Sequence, residues 1–240
     1  EFLAANYYDA ARTFRQARSK VNNPLLEEQL HVFELALTIA SWAKVTEEVE
    51  IEAYRLMNNE PLYEKYPHFD PFLRKKLAFL YEEAGQSGKA FLMEHSWKEL
   101  RYNPPEYILN ELIALTENVD LNRFERQLLE DEDGNSIQYA LIDIKGTHLF
   151  GQDQLEAANE VYKKIPRAER EQFGKFYPFR ERMRECVHCP IPMVDTLAYT
   201  RPELVSRLLS LEYDARADRN KGIEYFYLLG LAFYNMSYYG

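Results

Sequence analysis

Apolar residues recur along this chain at helical spacing. Ile142, Gly146 and Leu149 fall on one helix face, and Leu155, Ala158, Tyr162 and Ile165 fall on another. Near the C-terminal end Phe226, Leu229, Gly230, Phe233 and Tyr234 form a further stripe. With Pro, Gly and Asn marking the joints, the pattern predicts helices at 2–20, 25–43, 46–58, 70–84, 87–101, 105–117, 120–130, 136–150, 153–165, 167–174, 202–217 and 221–239. The span 175–201 breaks the pattern. Pro178, Pro190 and Pro192, with Pro202 just beyond, each remove a backbone donor and clash with a preceding helical turn, so this stretch reads as a loop packed by its own aromatics or as a break between subdomains.

Composition points the same way. Leu (30), Glu (29) and Ala (21) lead the 240 residues, while Val, Ile and Thr together reach 26, which favours helix over sheet. The expected fold class is therefore all-α. A hydrophobic content of 46% is enough to offset the entropy of ordering, so the chain is expected to fold. No apolar run approaches the ~20 residues of a membrane span. The formal charge of −10 disfavours nucleic acid, which needs clustered positive charge to displace counterions, and no Lys/Arg-rich amphipathic segment offers an anionic surface a binding face.

Repeats sharpen the architecture. In 138–166 the small residues Gly146 and Ala158 mark a close crossing of two antiparallel helices, joined at Phe150-Gly151-Gln152-Asp153, with Tyr162 beside the crossing. Phe226-x-x-Leu229-Gly230-x-x-Phe233 repeats the first-helix pattern, Tyr7, Ala10, Phe14 and Ala17 repeat the second, and Leu77-Ala78-x-x-Tyr81 with Gly85 and Ala90 is a weaker copy. These segments resemble the tetratricopeptide (TPR) repeat. Gly146 and its surroundings, and the closing segment from Gly230 to Gly240, also resemble large TPR-like proteins of Bacteroidetes, a group whose members tend to be exported; that resemblance alone suggests periplasm or cell envelope. The spacings are irregular, so the expectation is an α-solenoid of unequal helix pairs.

The organisation expected is a helical array over 1–174, a Pro-rich connector at 175–201, and a C-terminal helical pair at 202–240 whose last repeat is truncated. Glu1 opens inside a helical pattern and the stripe ending at Tyr239-Gly240 has no following partner helix, so the chain reads as an excised fragment. Phe226, Phe233, Tyr234, Tyr238 and Tyr239 are then expected to form an exposed apolar patch, open to self-association.

The TPR resemblance implies a partner-binding groove lined by Lys75, Phe79 and Glu82, by Asp143, Thr147 and Phe150, and by Tyr227, Leu231, Tyr234 and Asn235. The carboxylate-clamp pattern is not met, since Phe79 and Thr147 stand where Asn is expected. The function this implies is a scaffold for a protein or peptide, without catalysis or cofactor of its own. The alternatives are a spacer module of a larger exported protein, or an all-helical enzyme.

Motifs for chemistry are weak. Cys186, His188 and Cys189 offer three zinc ligands, but no fourth is evident and free thiols or a local disulfide explain them as well. Glu28/His31 and Glu185/His188 have the Glu-x-x-His spacing of di-iron bundles, yet the second lies in the Pro-broken span. Glu130 to Asn135 is acidic like a calcium loop, but its Gly falls too early and no bidentate Glu follows, so a capped helix turn is expected. Asn235-Met236-Ser237 has a glycosylation spacing on an apolar helix. No phosphate loop, nucleophile elbow or zinc-protease motif occurs.

Overall fold

A computed structural model describes residues 6–102, 104–180, 198–218 and 220–239, without the side chains of 237–239. The protein is all-α apart from one two-residue strand pair and one isolated bridge among the described residues. Its contacts divide it into two compact units, Glu1–Gln138 and Tyr139–Gly240.

The first unit holds α1 (Tyr7–Arg18), α2 (Pro24–Ser41), α3 (Glu47–Asn59), α4 (Pro61–Lys65), α5 (Phe69–Glu83), α6 (Ser87–Glu94), α7 (Glu106–Thr116) and α8 (Arg123–Leu128). Local chemistry sets several boundaries. Asn23 caps α2 by accepting from the N–H groups of Leu25 and Leu26, with Pro24 pre-set in the first turn. Gly85, at φ +69°, turns the chain between α5 and α6. The single helix expected over 87–101 is two. α6 ends at Glu94, and Ser96 with Glu99 forms a capping box that starts a separate 3-10 turn, Trp97–Arg101. The short α4 escapes the periodicity because five residues cannot display a 3.6-residue period.

Leu35, Ile39, Ala53, Leu56, Leu73, Leu77, Tyr81, Met93 and Phe124 make this unit's core. One buried polar cluster runs through it. Glu50 of α3 accepts from the Tyr81 hydroxyl at 2.6 Å, from Lys89 Nζ at 2.9 Å and from the Asn122 amide, while Lys89 also pairs with Glu125. Both Glu50 and Lys89 are buried. Two further helices, α5 and α6, and the α8 cap residue thus supply the partners of a carboxylate that solvent scarcely reaches, as burial of a charge demands.

The second unit takes α9 (Gln138–Gly151), α10 (Leu155–Tyr162), a 3-10 turn (Arg167–Phe173), the antiparallel strands β1 (Lys175–Phe176) and β2 (Tyr199–Thr200), α11 (Arg201–Ala217) and α12 (Gly222–Tyr239). The sequence pattern divides these segments into three parts, with 139–174 in an array with 1–138. Here 139–174 groups with 201–240 instead: α10 packs on α11, and Ser206 donates to Asn159 at 2.8 Å. Strand pairing explains the regrouping, since Lys175 faces Thr200 and Phe176 faces Tyr199 and the Pro-rich span starts and returns at one place. The described part of that span is packed by aromatics, with Tyr199 stacked on Tyr177 and edge-on to Phe179.

Candidate functional site

Within the second unit lies a cleft of about 460 Å³. Phe150, Phe176, Leu204, Val205 and Met236 give it apolar lining, and Thr147, Tyr162 and Arg201 give it polar groups. Helical spacing places Asp143, Thr147 and Phe150 on one face of α9, at i, i+4 and i+7. The ring of Tyr162 lies directly against this helix. A Cβ on Gly146 would stand 2.5 Å from Tyr162 Cε1, so only glycine leaves room for the ring. That close approach brings the Tyr162 hydroxyl 2.9 Å from Thr147 Oγ1. Burial raises the Tyr162 phenol well above its ordinary range, so it stays neutral.

Arg201 enters at the start of α11, where a capping box holds the helix end. Glu203 accepts from the Thr200 N–H and hydroxyl, which holds its carboxyl below the usual value. The Arg201 guanidinium donates through one nitrogen to Asp143 and reaches Thr147 Oγ1 at 3.4 Å. Asp143's side chain is 7% exposed and that of Arg201 is 47% exposed, so the pair is rooted inside and opens outward. Five donors on a planar group leave Arg201 with more than this pairing uses. Aromatic walls beside a fixed cation suit recognition of an apolar side chain next to a carbonyl or carboxylate. No thiol or imidazole is among the lining residues.

The sequence-predicted groove residues therefore separate. Thr147 and Phe150 line the cleft, and Asp143 anchors its arginine. Tyr227 and Tyr234 are exposed on α12, Leu231 is half-buried, and Lys75, Phe79 and Glu82 are exposed on α5. Asn235 is a correction. It is buried, and its amide donates to the carbonyls of Pro178 at 2.6 Å and Arg180 at 2.9 Å, so it fastens the loop to α12 and is spent as a groove or glycosylation residue. Cys186, His188, Cys189 and Glu185 lie outside the described residues. Glu28 is engaged by Lys65 and Tyr66, and His31 stands 3.8 Å from Glu60, so the Glu28/His31 spacing makes no paired site. Asp131 accepts from the N–H groups of Asp133 and Asn135, the folded-back turn expected for 130–135. Among the described residues no group of three or more His, Cys, Asp or Glu is placed to hold a metal.

Sequence reasoning missed Arg201, Phe176 and Tyr199. The signal present was the aromatic content of 175–201, read as self-packing, and nothing in a linear pattern pairs Asp143 with a cation 58 residues away. No helix among the described residues is long and apolar enough to cross a membrane. No family model, no curated protein and no solved structure matches this chain.

Proposed function

We propose that the protein is a binding scaffold, a TPR-like solenoid of helix pairs, and that the cleft of the second unit grips a short extended segment of a protein or peptide partner. One observation carries the reading: Asp143, Thr147 and Phe150, nominated as groove residues by the repeat resemblance, converge on a cleft with a half-exposed arginine. Its volume is within the ~300–1,000 Å³ of ordinary ligand pockets, room for one large side chain with its flanking backbone. The aromatic walls take an aromatic or branched aliphatic anchor, and Arg201 takes an adjacent carbonyl or carboxylate oxygen.

Selection of displayed random peptides on the protein tests this. Enriched peptides should share one large apolar residue beside an acidic or C-terminal group. Their affinity by calorimetry should fall at least tenfold in Thr147→Trp, which fills the cleft from an exposed position, and in Arg201→Ala. No enrichment is the result expected of a spacer module, and peptides indifferent to both substitutions would place binding elsewhere.

A further inference from the structure

The outer face of α12 carries a pattern that the cleft does not use. Ile223, Phe226, Tyr227, Phe233 and Tyr234 are between 39% and 84% exposed, and Gly230 among them is exposed too. At 100° per residue all of them lie within about 60° of Gly230, so they form one stripe. The opposite side of the helix is occupied: Leu229 and Ala232 are buried against α11 with Leu204, Leu208 and Leu211. Glu224 is the only ionisable acid or base on α12 besides its tyrosines.

Two features of this stripe say what covers it. Gly146, the helical glycine of the same repeat pattern, is filled by Tyr162, whereas a Cβ built on Gly230 meets nothing within 4 Å. Gly230 is thus a close-approach position without an occupant among the described residues. The sequence is also symmetric about it. Phe226-Tyr227 stands four and three residues before Gly230, and Phe233-Tyr234 stands three and four residues after. Reversing the helix direction maps the stripe onto itself, which is the property an isologous two-fold contact needs.

We infer that α12 pairs antiparallel with α12 of a second copy of this chain, crossing at Gly230. In that arrangement Phe226 sits opposite Phe233 of the second copy, and Tyr227 sits opposite Tyr234 of the second copy, on the two edges of the stripe. The opposed helix dipoles add to the pairing, and an uncharged contact imposes no penalty on a chain of net charge −10 beyond its long-range repulsion. Four half-exposed aromatics bring roughly 400 Å² of apolar surface per copy, about half of what a standard interface contributes from each side. The dimer is therefore weak, with a Kd on the order of 10–100 μM that tightens as salt screens the net charge.

Sedimentation velocity of the whole chain from 1 to 500 μM, at low and moderate salt, measures this. A reversible monomer–dimer equilibrium is expected, weakened at least tenfold by Phe226→Glu and by Phe233→Glu, with circular dichroism and peptide binding to the cleft unchanged. Gly230→Cys, in a background with Cys186→Ser and Cys189→Ser, should cross-link to itself under mild oxidation, while Tyr213→Cys on α11 should not. Monomer throughout the range, a dimer indifferent to both glutamate substitutions, or association without Gly230→Cys cross-linking would each overturn the two-fold contact; the last would indicate head-to-tail stacking instead.

Discussion

Glu50 in the first unit and Asp143 in the second are both buried carboxylates tied to a cation, and the two arrangements differ in where they end. In the first unit Glu50 is ringed by Tyr81, Lys89 and Asn122, and Lys89 is closed off in turn by Glu125. In the second, Asp143 is equally buried, but its partner Arg201 is half-exposed and lines a cleft. A closed cluster fixes the relative positions of four elements and offers nothing to a ligand. A buried charge whose partner faces a cavity holds that partner in place for something else.

The contrast should be sharpest in stability. Lys89→Met keeps the aliphatic stem but leaves Glu50 and Glu125 together without their shared cation, so the first unit should lose about 3–5 kcal/mol. Arg201→Met removes a half-exposed cation whose place water can take, and should cost the second unit only about 1–2 kcal/mol. Trp42 and Trp97, the chain's two tryptophans, both lie in the first unit, so their fluorescence follows that unit while circular dichroism follows both. Denaturant unfolding read by the two signals checks the ranking. An Arg201→Met loss equal to that of Lys89→Met would mean that the second pair is also closed.

A smaller effect tests how the cleft is built. Gly146→Ala drives a methyl into the Tyr162 ring, and the ring must give way because the methyl is fixed to the backbone of α9. Overpacking of this kind costs about 1–3 kcal/mol, and it should also loosen binding of any cleft peptide because Tyr162 lines the cleft. Gly230→Ala meets no neighbour among the described residues and should raise monomer stability by up to about 1 kcal/mol through helix propensity. Equal responses at the two glycines, read by thermal melting of dilute protein, would erase the distinction between a filled crossing and an open one.

What the sequence made legible was whatever depends on near neighbours. The helix spacing around Gly146 foretold the close approach of Tyr162, because period and residue size are local properties, and Pro178 foretold the end of helix over the described residues 175–180. The apolar period runs on to Leu100, so spacing hides the α6 break although Ser96 and Glu99 carry the capping-box signature. The charged clusters were illegible for a different reason. Glu50 meets Lys89 across 39 residues and Asn122 across 72, and among 29 glutamates nothing marks this one as buried. Asn235 misled because its helical position matched a groove residue while its amide was committed to a loop that periodicity could not place.

The smallest effect concerns acid, and it again sets one unit against the other. In the first unit His31 is held below its ordinary value of 6.5, mainly by burial and then by Arg18 and Arg55, against the opposing pull of Glu60 and Glu34. Folded His31 therefore binds a proton less readily than the unfolded chain does. The stability this group contributes is complete above about pH 6.5 and drains as pH falls through its depressed folded value. In the second unit the lowered group is Glu203, whose contribution is complete above about pH 4.5 and drains only below that, as its carboxylate loses the Thr200 donors. Between pH 7 and pH 5 the urea midpoint by tryptophan fluorescence should thus fall slightly. Hydrogen-exchange protection of α11 should stay level over the same range. His31→Gln should flatten the fluorescence trend. A slope that persists in His31→Gln, or that appears in α11 rather than in the first unit, would show that the acid response belongs to other groups and that the two units do not divide it in this way.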